Sequence, residues 1–366
     1  MNFKYSLKTK VIFEEGCVKK YKEEFGKYGK KCIIVTGRNS ARKSGALEDV
    51  EKVLNGLGIE YLIFDKVENN PSLETVKQGG EEAFKFHADF VIGIGGGSPL
   101  DTAKAVAVLA VNRIAPLDLY KGEYDYMPLP ILAIPTTAGT GSEVTQYSIL
   151  TRPDMETKKS FASEWIFPKV AFLDARYTES MPHNVTVNTA IDAFSHAVEG
   201  YTSKRSTVFS DILAVQSIRL FGQCIDALID GSVDFESREK LLYMSMLSGM
   251  VIAHTGTTIV HSLGYMLTYF KDIPHGKANG YFLAEYLKFN YEVAKDKIDN
   301  IISLLNLKDI DRLGTIMGKL IGKELKVTKE EIARYALIVS KQKSITNNLR
   351  TVDKNDLIHI LNKVFL

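Results

Sequence analysis

Apolar positions in the first half of the chain fall into short unbroken runs. Cys32-Ile33-Ile34-Val35-Thr36 ends at Gly37, and Tyr61-Leu62-Ile63-Phe64, Phe90-Val91-Ile92-Gly93-Ile94, Ile131-Leu132-Ala133-Ile134 and Val170-Ala171-Phe172-Leu173 follow. Between these runs the apolar residues recur at helical spacing, which predicts helices over about 43–57, 73–86 and 99–109. Continuous apolar strands alternating with helices imply a parallel sheet covered on both faces. After Asp174 the pattern changes. Ile212-Leu213, Val215, Ile218 and Leu220, and later Leu241-Leu242, Met244 and Leu247, repeat at helical spacing with few strand runs between them. The expected organisation is therefore an α/β domain over residues 1–178 and an all-α domain over 179–366. A length of 366 residues suits two domains at about 150 residues each.

Composition narrows the function classes. Hydrophobic residues make up 45% and charged residues 25%, the balance of a globular chain with a large core. Lys and Arg number 46 against 44 acidic residues, so the near-neutral charge argues against nucleic acid or an anionic membrane as partner. No run reaches about 18 uncharged apolar residues, and the first residues lack the pattern of a secretory signal. Three scattered cysteines, Cys17, Cys32 and Cys224, form neither a zinc pair nor a disulfide framework, which points to a reducing cytoplasm.

Two loops carry candidate binding chemistry. The run Phe90–Ile94 leads into Gly95-Gly96-Gly97-Ser98-Pro99-Leu100-Asp101. Ser98 suits an N-cap, Pro99 a first helical position, and Asp101 a capping-box acid. A well-capped strand–helix turn accounts for those residues, but three consecutive glycines exceed what capping needs and favour a phosphate at the helix start. The last glycine of the usual dinucleotide fingerprint is missing, since Ser98 stands in its place. The second loop, Pro135 to Thr145, holds five hydroxyls in ten residues: Thr136, Thr137, Thr140, Ser142 and Thr145. Such donors suit phosphate, ribose or a carboxamide. Two loops following two strands suggest one extended ligand across the sheet edge.

Metal chemistry is concentrated in the helical half. Asp192 and His196 are four apart, so a helix places both on one face. His261 and His275 lie further on, and one carboxylate with three imidazoles suits divalent iron, zinc or manganese. An Asp–His pair at this spacing also arises as a simple helix-surface hydrogen bond, and His254, seven before His261, would share its face if one helix carried both. His87 and His359 lie in charged amphipathic surroundings, and His183 follows Pro182 at a helix start.

Taken together, these stretches resemble the iron-containing, or group III, alcohol dehydrogenase family. The resemblance rests on Gly95–Asp101, Pro135–Thr145, Asp192–Gly200 and His261–Asn279. It implies an N-terminal nucleotide-binding α/β domain with a parallel sheet and an all-α C-terminal domain, a dehydroquinate synthase-like architecture. It further implies metal ligation by Asp192, His196, His261 and His275, and pyrophosphate binding by Gly96, Gly97 and Ser98 with Asp101 nearby. Thr136, Thr137, Thr140, Ser142 and Val144 would hold nicotinamide and ribose, Asn70 would make an Asn-Pro cofactor contact, and Lys158, with Lys159 as the alternative, would be the cofactor lysine. Tyr147 and Phe161 are candidate pocket walls. Many members carry a further histidine four residues after the third ligand. Here that position is Tyr265, a phenol with a free pKa of about 10 instead of about 6.5. Tyr265 and His261 are the candidate catalytic residues.

In that family the residue after the second strand helps choose the nicotinamide, because a carboxylate there repels a 2′-phosphate. Gly37 stands at that place, with Arg38, Ser40, Arg42 and Lys43 as phosphate donors, so NADP(H) is expected over NAD(H). The resemblance implies small primary alcohols, diols such as 1,3-propanediol, or their aldehydes as substrates. It also implies Fe2+, with Zn2+ as the other fitting ion, and a homodimer or higher homo-oligomer. A sugar-phosphate cyclase of the dehydroquinate synthase type is the alternative on the same fold. It would need a basic cluster in the helical half, where Lys204-Arg205 is thin support.

Overall fold

A computed structural model describes residues 3–322 and 325–366. The chain divides into two compact units, one over Ser6–Met181 and the other from Pro182 onward. The division lies just beyond the 178/179 boundary read from the sequence. Tyr5 belongs with the second unit, stacking on His254 at 3.9 Å between ring centroids and tilting onto Phe209 at 4.2 Å.

The first unit is built on a six-stranded, wholly parallel sheet. Its strands are β1 (Lys10–Phe13), β2 (Lys31–Gly37), β3 (Glu60–Val67), β4 (Phe90–Gly95), β5 (Ile131–Pro135) and β8 (Val170–Leu173), in the order β1-β8-β5-β4-β2-β3. A separate antiparallel ribbon pairs β6 (Tyr147–Arg152) with β7 (Thr157–Ala162). Helices α1 (Cys17–Lys20), α2 (Ser40–Lys43), α3 (Ala46–Leu57), α4 (Leu73–Phe86) and α5 (Gly97–Leu109) intervene.

The strands read as unbroken apolar runs because both faces are buried. Cys32, Ile34, Phe90, Ile92, Ile94, Leu132 and Ile134 enter one core. The alternate residues Ile33, Val35, Val91 and Ile131 enter the core on the other face. Phe161 belongs to this second core at 3% exposure, so it is a packing residue and not a pocket wall. The helix expected from about residue 43 begins at Ala46 instead, because Gly45, at φ 80°, separates it from the short α2 that ends at Lys43.

The second unit is all-helical: α6 (His183–Tyr201), α7 (Val208–Asp230), α8 (Phe235–Thr255), α9 (Ile259–Lys271), α10 (His275–Gly280), α11 (Leu283–Leu304), α12 (Ile310–Ile321), α13 (Lys329–Val339) and α14 (Lys354–Phe365). α6, α7 and α8 pack on one another, with Phe194 stacked on Phe221 at 4.2 Å. α7 is long and apolar enough, by length and composition alone, to cross a membrane. Its Ala214, Ile218, Phe221 and Leu228 are instead buried within the unit.

Candidate active site: a buried metal centre and a nucleotide-binding sheet edge

The metal-type side chains come from α6, α9 and α10. Asp192 Oδ1 lies 3.5 Å from His261 Nε2 and 3.6 Å from His275 Nε2. Bonds of about 2.1 Å in a tetrahedron put neighbouring ligand atoms about 3.4 Å apart, so these three groups are spaced to share one divalent ion. Their ligand atoms all fall within 4.8 Å of one another. His196 lies next to these three, its ring stacked on that of His261 at 4.4 Å. Tyr265 stacks on His275 at 5.0 Å. His254 lies apart, with Nδ1 at 3.1 Å from Met250 O.

Close backbone approach makes the cluster possible. A Cβ on Gly276 would lie 1.7 Å from Asn188 O, so only glycine lets α10 settle on α6 beside Asp192. Glu199, one turn past His196, accepts from Thr258 N at 2.8 Å, Thr258 Oγ1 at 2.6 Å and Val260 N at 3.0 Å, and thereby caps the start of α9. Its other oxygen binds His261 Nδ1. That contact turns Nε2 toward Asp192 and fixes the tautomer a metal ligand needs.

The electrostatics suit a cation. Burial pushes the Asp192 carboxyl up, but His196, His275 and His261 outweigh it and hold the group well below the usual carboxylate range. Burial opposes a charge on His261, yet Glu199 and Asp192 raise it to about 9. A positive charge is thus stabilised at the centre of the cluster, and the mixed oxygen and imidazole donors fit divalent iron or zinc.

The other candidate residues gather at the carboxyl edge of the parallel sheet, where ligands of α/β units bind. The register pairs Gly95 with Pro135, and Thr136 N donates to Gly95 O at 3.0 Å, so the two loops leave the sheet side by side. A Cβ on Gly97 would lie 2.7 Å from Thr140 Cγ2, which shows how closely the loops touch. Gly37, at the end of β2, faces Pro99 and Ser40.

The capping expected around Ser98 is not what forms. α5 begins at Gly97, with Gly96 as an N-cap that offers no side-chain bond. Ser98 Oγ accepts from Asn70 N at 3.1 Å, and Asn70 is held at φ 58° with its carbonyl accepting from Thr151 Oγ1 at 2.7 Å. Asp101 turns inward, accepting from Ser142 Oγ at 2.6 Å and Ile149 N at 3.1 Å. Long-range partners take the side chains that a local cap would use, and the helix start is left without a side-chain cap, as an anion site requires. Thr136 Oγ1 is buried without a partner among the described residues, a second donor suited to a bound nucleotide. Val144 is fully buried behind the loop, and burial raises the Asp101 carboxyl against an opposing pull from Lys104 and, more weakly, from Lys158 on β7.

Beneath this edge lies Lys104, unremarked in the sequence reading. Its ammonium is fully buried and donates to Ser142 Oγ at 2.8 Å, Thr145 Oγ1 at 3.2 Å and Tyr147 O at 2.7 Å. Burial lowers it to about 8, against the attraction of Asp101 and Glu143. The signal was a single charge in an otherwise apolar run, Ala103-Lys104-Ala105-Val106. Glu199 carried a comparable signal, seven residues after Asp192 on the same helical face.

Comparison with known proteins agrees with this geometry. The family model for iron-containing alcohol dehydrogenase matches residues 8–175, and that for the C-terminal part of the Fe-containing alcohol dehydrogenase family matches 186–365. The chain is 33% identical to the sulfoacetaldehyde reductase of Bilophila wadsworthia, over 87% of this chain and 83% of that protein. It is 32% identical to the NADPH-dependent butanol dehydrogenase of Clostridium saccharobutylicum, over 89% and 83%. The crystal structure of an iron-containing alcohol dehydrogenase from Thermotoga maritima superposes with a TM-score of 0.93 at 39% identity, covering 100% of this chain and 99% of that one. The chain belongs to the iron-containing alcohol dehydrogenase family and is a metal-dependent, NAD(P)-linked alcohol dehydrogenase.

Proposed function

We propose that this enzyme moves a hydride between NADP(H), in preference to NAD(H), and small primary alcohols, diols or their aldehydes. Fe2+ is the assigned ion, with Zn2+ able to use the same donors. The observation that carries this reading is the spacing of Asp192, His261 and His275, whose ligand atoms lie within 4.8 Å of one another. Butanol and sulfoacetaldehyde name the substrates of two similar proteins, and both imply a short chain ending in an alcohol or aldehyde carbon.

When bound, the metal supplies Lewis acidity to the substrate oxygen, and the nicotinamide carries the hydride. Asp192, His261 and His275, with His196 beside them as the fourth ligand, would hold the ion, and Glu199 keeps His261 in the ligating tautomer. Gly96, Gly97 and Ser98 would present backbone donors to the pyrophosphate. Thr136, Thr137, Thr140, Ser142 and Val144 shape the nicotinamide and ribose side, with Asn70 and Lys158 as further contacts. Asp101 and Lys104 act from beneath, locking the Thr-rich loop to α5. Gly37 leaves space for a 2′-phosphate, and the exposed Ser40, Arg38, Arg42 and Lys43 offer it donors. Tyr265 is assigned the transfer of the hydroxyl proton. A homodimer or larger homo-oligomer rests on the family resemblance, and a cytoplasmic location on three free thiols at Cys17, Cys32 and Cys224.

The test follows the absorbance of reduced nicotinamide with a panel of short aldehydes and alcohols, both cofactors, and iron- or zinc-reconstituted protein. Net turnover that is faster with NADPH and lost in His261→Ala supports the reading. A protein that consumes no nicotinamide with any of them, or a His261→Ala variant of full activity, rejects it. Net turnover also separates this enzyme from a cyclase, which uses nicotinamide only transiently.

A further inference from the structure

Asn279, near the end of α10, is fully buried with its amide aimed into the centre of the ligand cluster. Its Nδ2 lies 3.0 Å from Asp192 Oδ1, 3.2 Å from His261 Nε2, 3.4 Å from His275 Nε2 and 3.4 Å from Ser195 Oγ. An amide NH2 has two hydrogens, so it serves two of these at a time. The Asp192 contact is the shortest and the only one to a carboxylate, and charge-assisted bonds are the stronger ones. Asn279 Oδ1, by contrast, is buried with no partner among the described residues. An unsatisfied buried acceptor is costly. The opposite amide orientation would set that oxygen against the Asp192 carboxylate, so Asp192 decides which way the amide faces.

The space for this amide is provided by Gly264 on α9. A Cβ there would lie 2.0 Å from Asn279 Oδ1. Gly264 has an ordinary helical backbone, with no positive φ to account for it. Its lack of a side chain therefore serves the close approach of Asn279.

We propose that Asn279 is a positioning residue of the metal centre, fixing the Asp192 carboxylate for ligation, and that Gly264 is its structural partner. This rests on the metal reading given above. A carboxylate has lone pairs enough to accept from the amide and to bind a cation together, whereas each imidazole Nε2 has only one. The Asp192–Asn279 bond is therefore the contact compatible with an ion, and it restrains rotation of the carboxylate that would otherwise be lost on binding.

The experiment titrates Co2+ into chelator-stripped protein, reading affinity by competition with a chelating dye and coordination by the visible d–d bands. Asn279→Ala and Gly264→Ala are each expected to weaken Co2+ binding by about 10- to 100-fold, the usual effect of removing a group that orients a ligand. Gly264→Ala is expected to add little in the Asn279→Ala background, where the clash is gone. The double variant also guards against a simple folding defect, since its thermal melt should exceed that of Gly264→Ala alone. NADPH affinity should stay at the wild-type value throughout. Wild-type Co2+ affinity and bands in Asn279→Ala would overturn the proposal alone. Failure of the wild-type protein to bind Co2+ stoichiometrically would overturn it together with the metal reading.

Discussion

Glu199 binds His261 through Nδ1 and, with its other oxygen, caps the helix that carries His261. One carboxylate thus sets both the position of α9 and the direction of a ligand. Glu199→Gln keeps the shape and an acceptor but removes the charge that raises His261. The variant is expected to bind Fe2+ or Zn2+ about 10- to 100-fold more weakly. Metal content after dialysis at fixed free metal, alongside the melting temperature, measures this. Unchanged metal content would refute the role given to Glu199.

Gly37 and the donors after it lead to a prediction on cofactor choice. Gly37→Asp places a carboxylate at the end of β2, where it accepts from a ribose hydroxyl and repels a 2′-phosphate. The ratio of kcat/KM for NADPH over NADH should fall by at least about tenfold, which corresponds to about 1.4 kcal/mol. The aldehyde KM should change little, since the substitution lies in the other unit from the metal cluster. A ratio that stays constant would sink the assignment of NADP(H).

Much of the fold is legible in the sequence because parallel strands buried on both faces leave an unbroken apolar trace. Val170–Leu173 and Leu73–Phe86 form over the same residues that their patterns mark. The metal side chains are legible because histidine is scarce and Asp192 and His196 share a helical face. What stays hidden is decided by distant partners. Ser98-Pro99-Leu100-Asp101 has the form of a helix cap, yet Asp101 is held by Ser142 and Ile149, 41 and 48 residues away. No local pattern reports such a pairing, and the same is true of Asn279 and Asp192, which are 87 residues apart. Gly264 is legible only once Asn279 is seen against it.

Glu143 supplies a prediction on pH. Its side chain is 1% exposed, with Oε1 unpartnered among the described residues. Burial raises it from an ordinary 4.5 to about 7, against a smaller pull from its own backbone and Lys104. The folded state therefore binds more protons than the unfolded one between those values. Stability from this group is present below about 4.5 and is lost as pH rises through about 7. Glu143→Gln removes the charge that is buried at high pH. The variant should melt above wild type at pH 8 by about 1 °C for each 1 kcal/mol of the penalty removed, at about 2.1 cal/mol/K of unfolding entropy per residue. The gap should close by pH 5. A gap equal at both values would show that Glu143 does not titrate in this range.

Tyr265 carries the last prediction. Its ring stacks on His275, interplanar angle 16°, so a phenylalanine keeps the packing and loses only the hydroxyl. If the hydroxyl passes the substrate proton, Tyr265→Phe should lower kcat by about 10²-fold, the lower end of general acid–base contributions. Metal content and NADPH affinity should be unchanged, which separates a lost proton route from a damaged site. Tyr265→His should recover much of the rate, because imidazole donates and accepts at the same place. Comparing kcat with alcohol deuterated at the reacting carbon adds a second reading. Once proton transfer limits the phenylalanine variant, the isotope effect on hydride transfer should shrink relative to wild type. Full activity in Tyr265→Phe would move the proton route to solvent or to the cofactor ribose and leave Tyr265 as packing for His275.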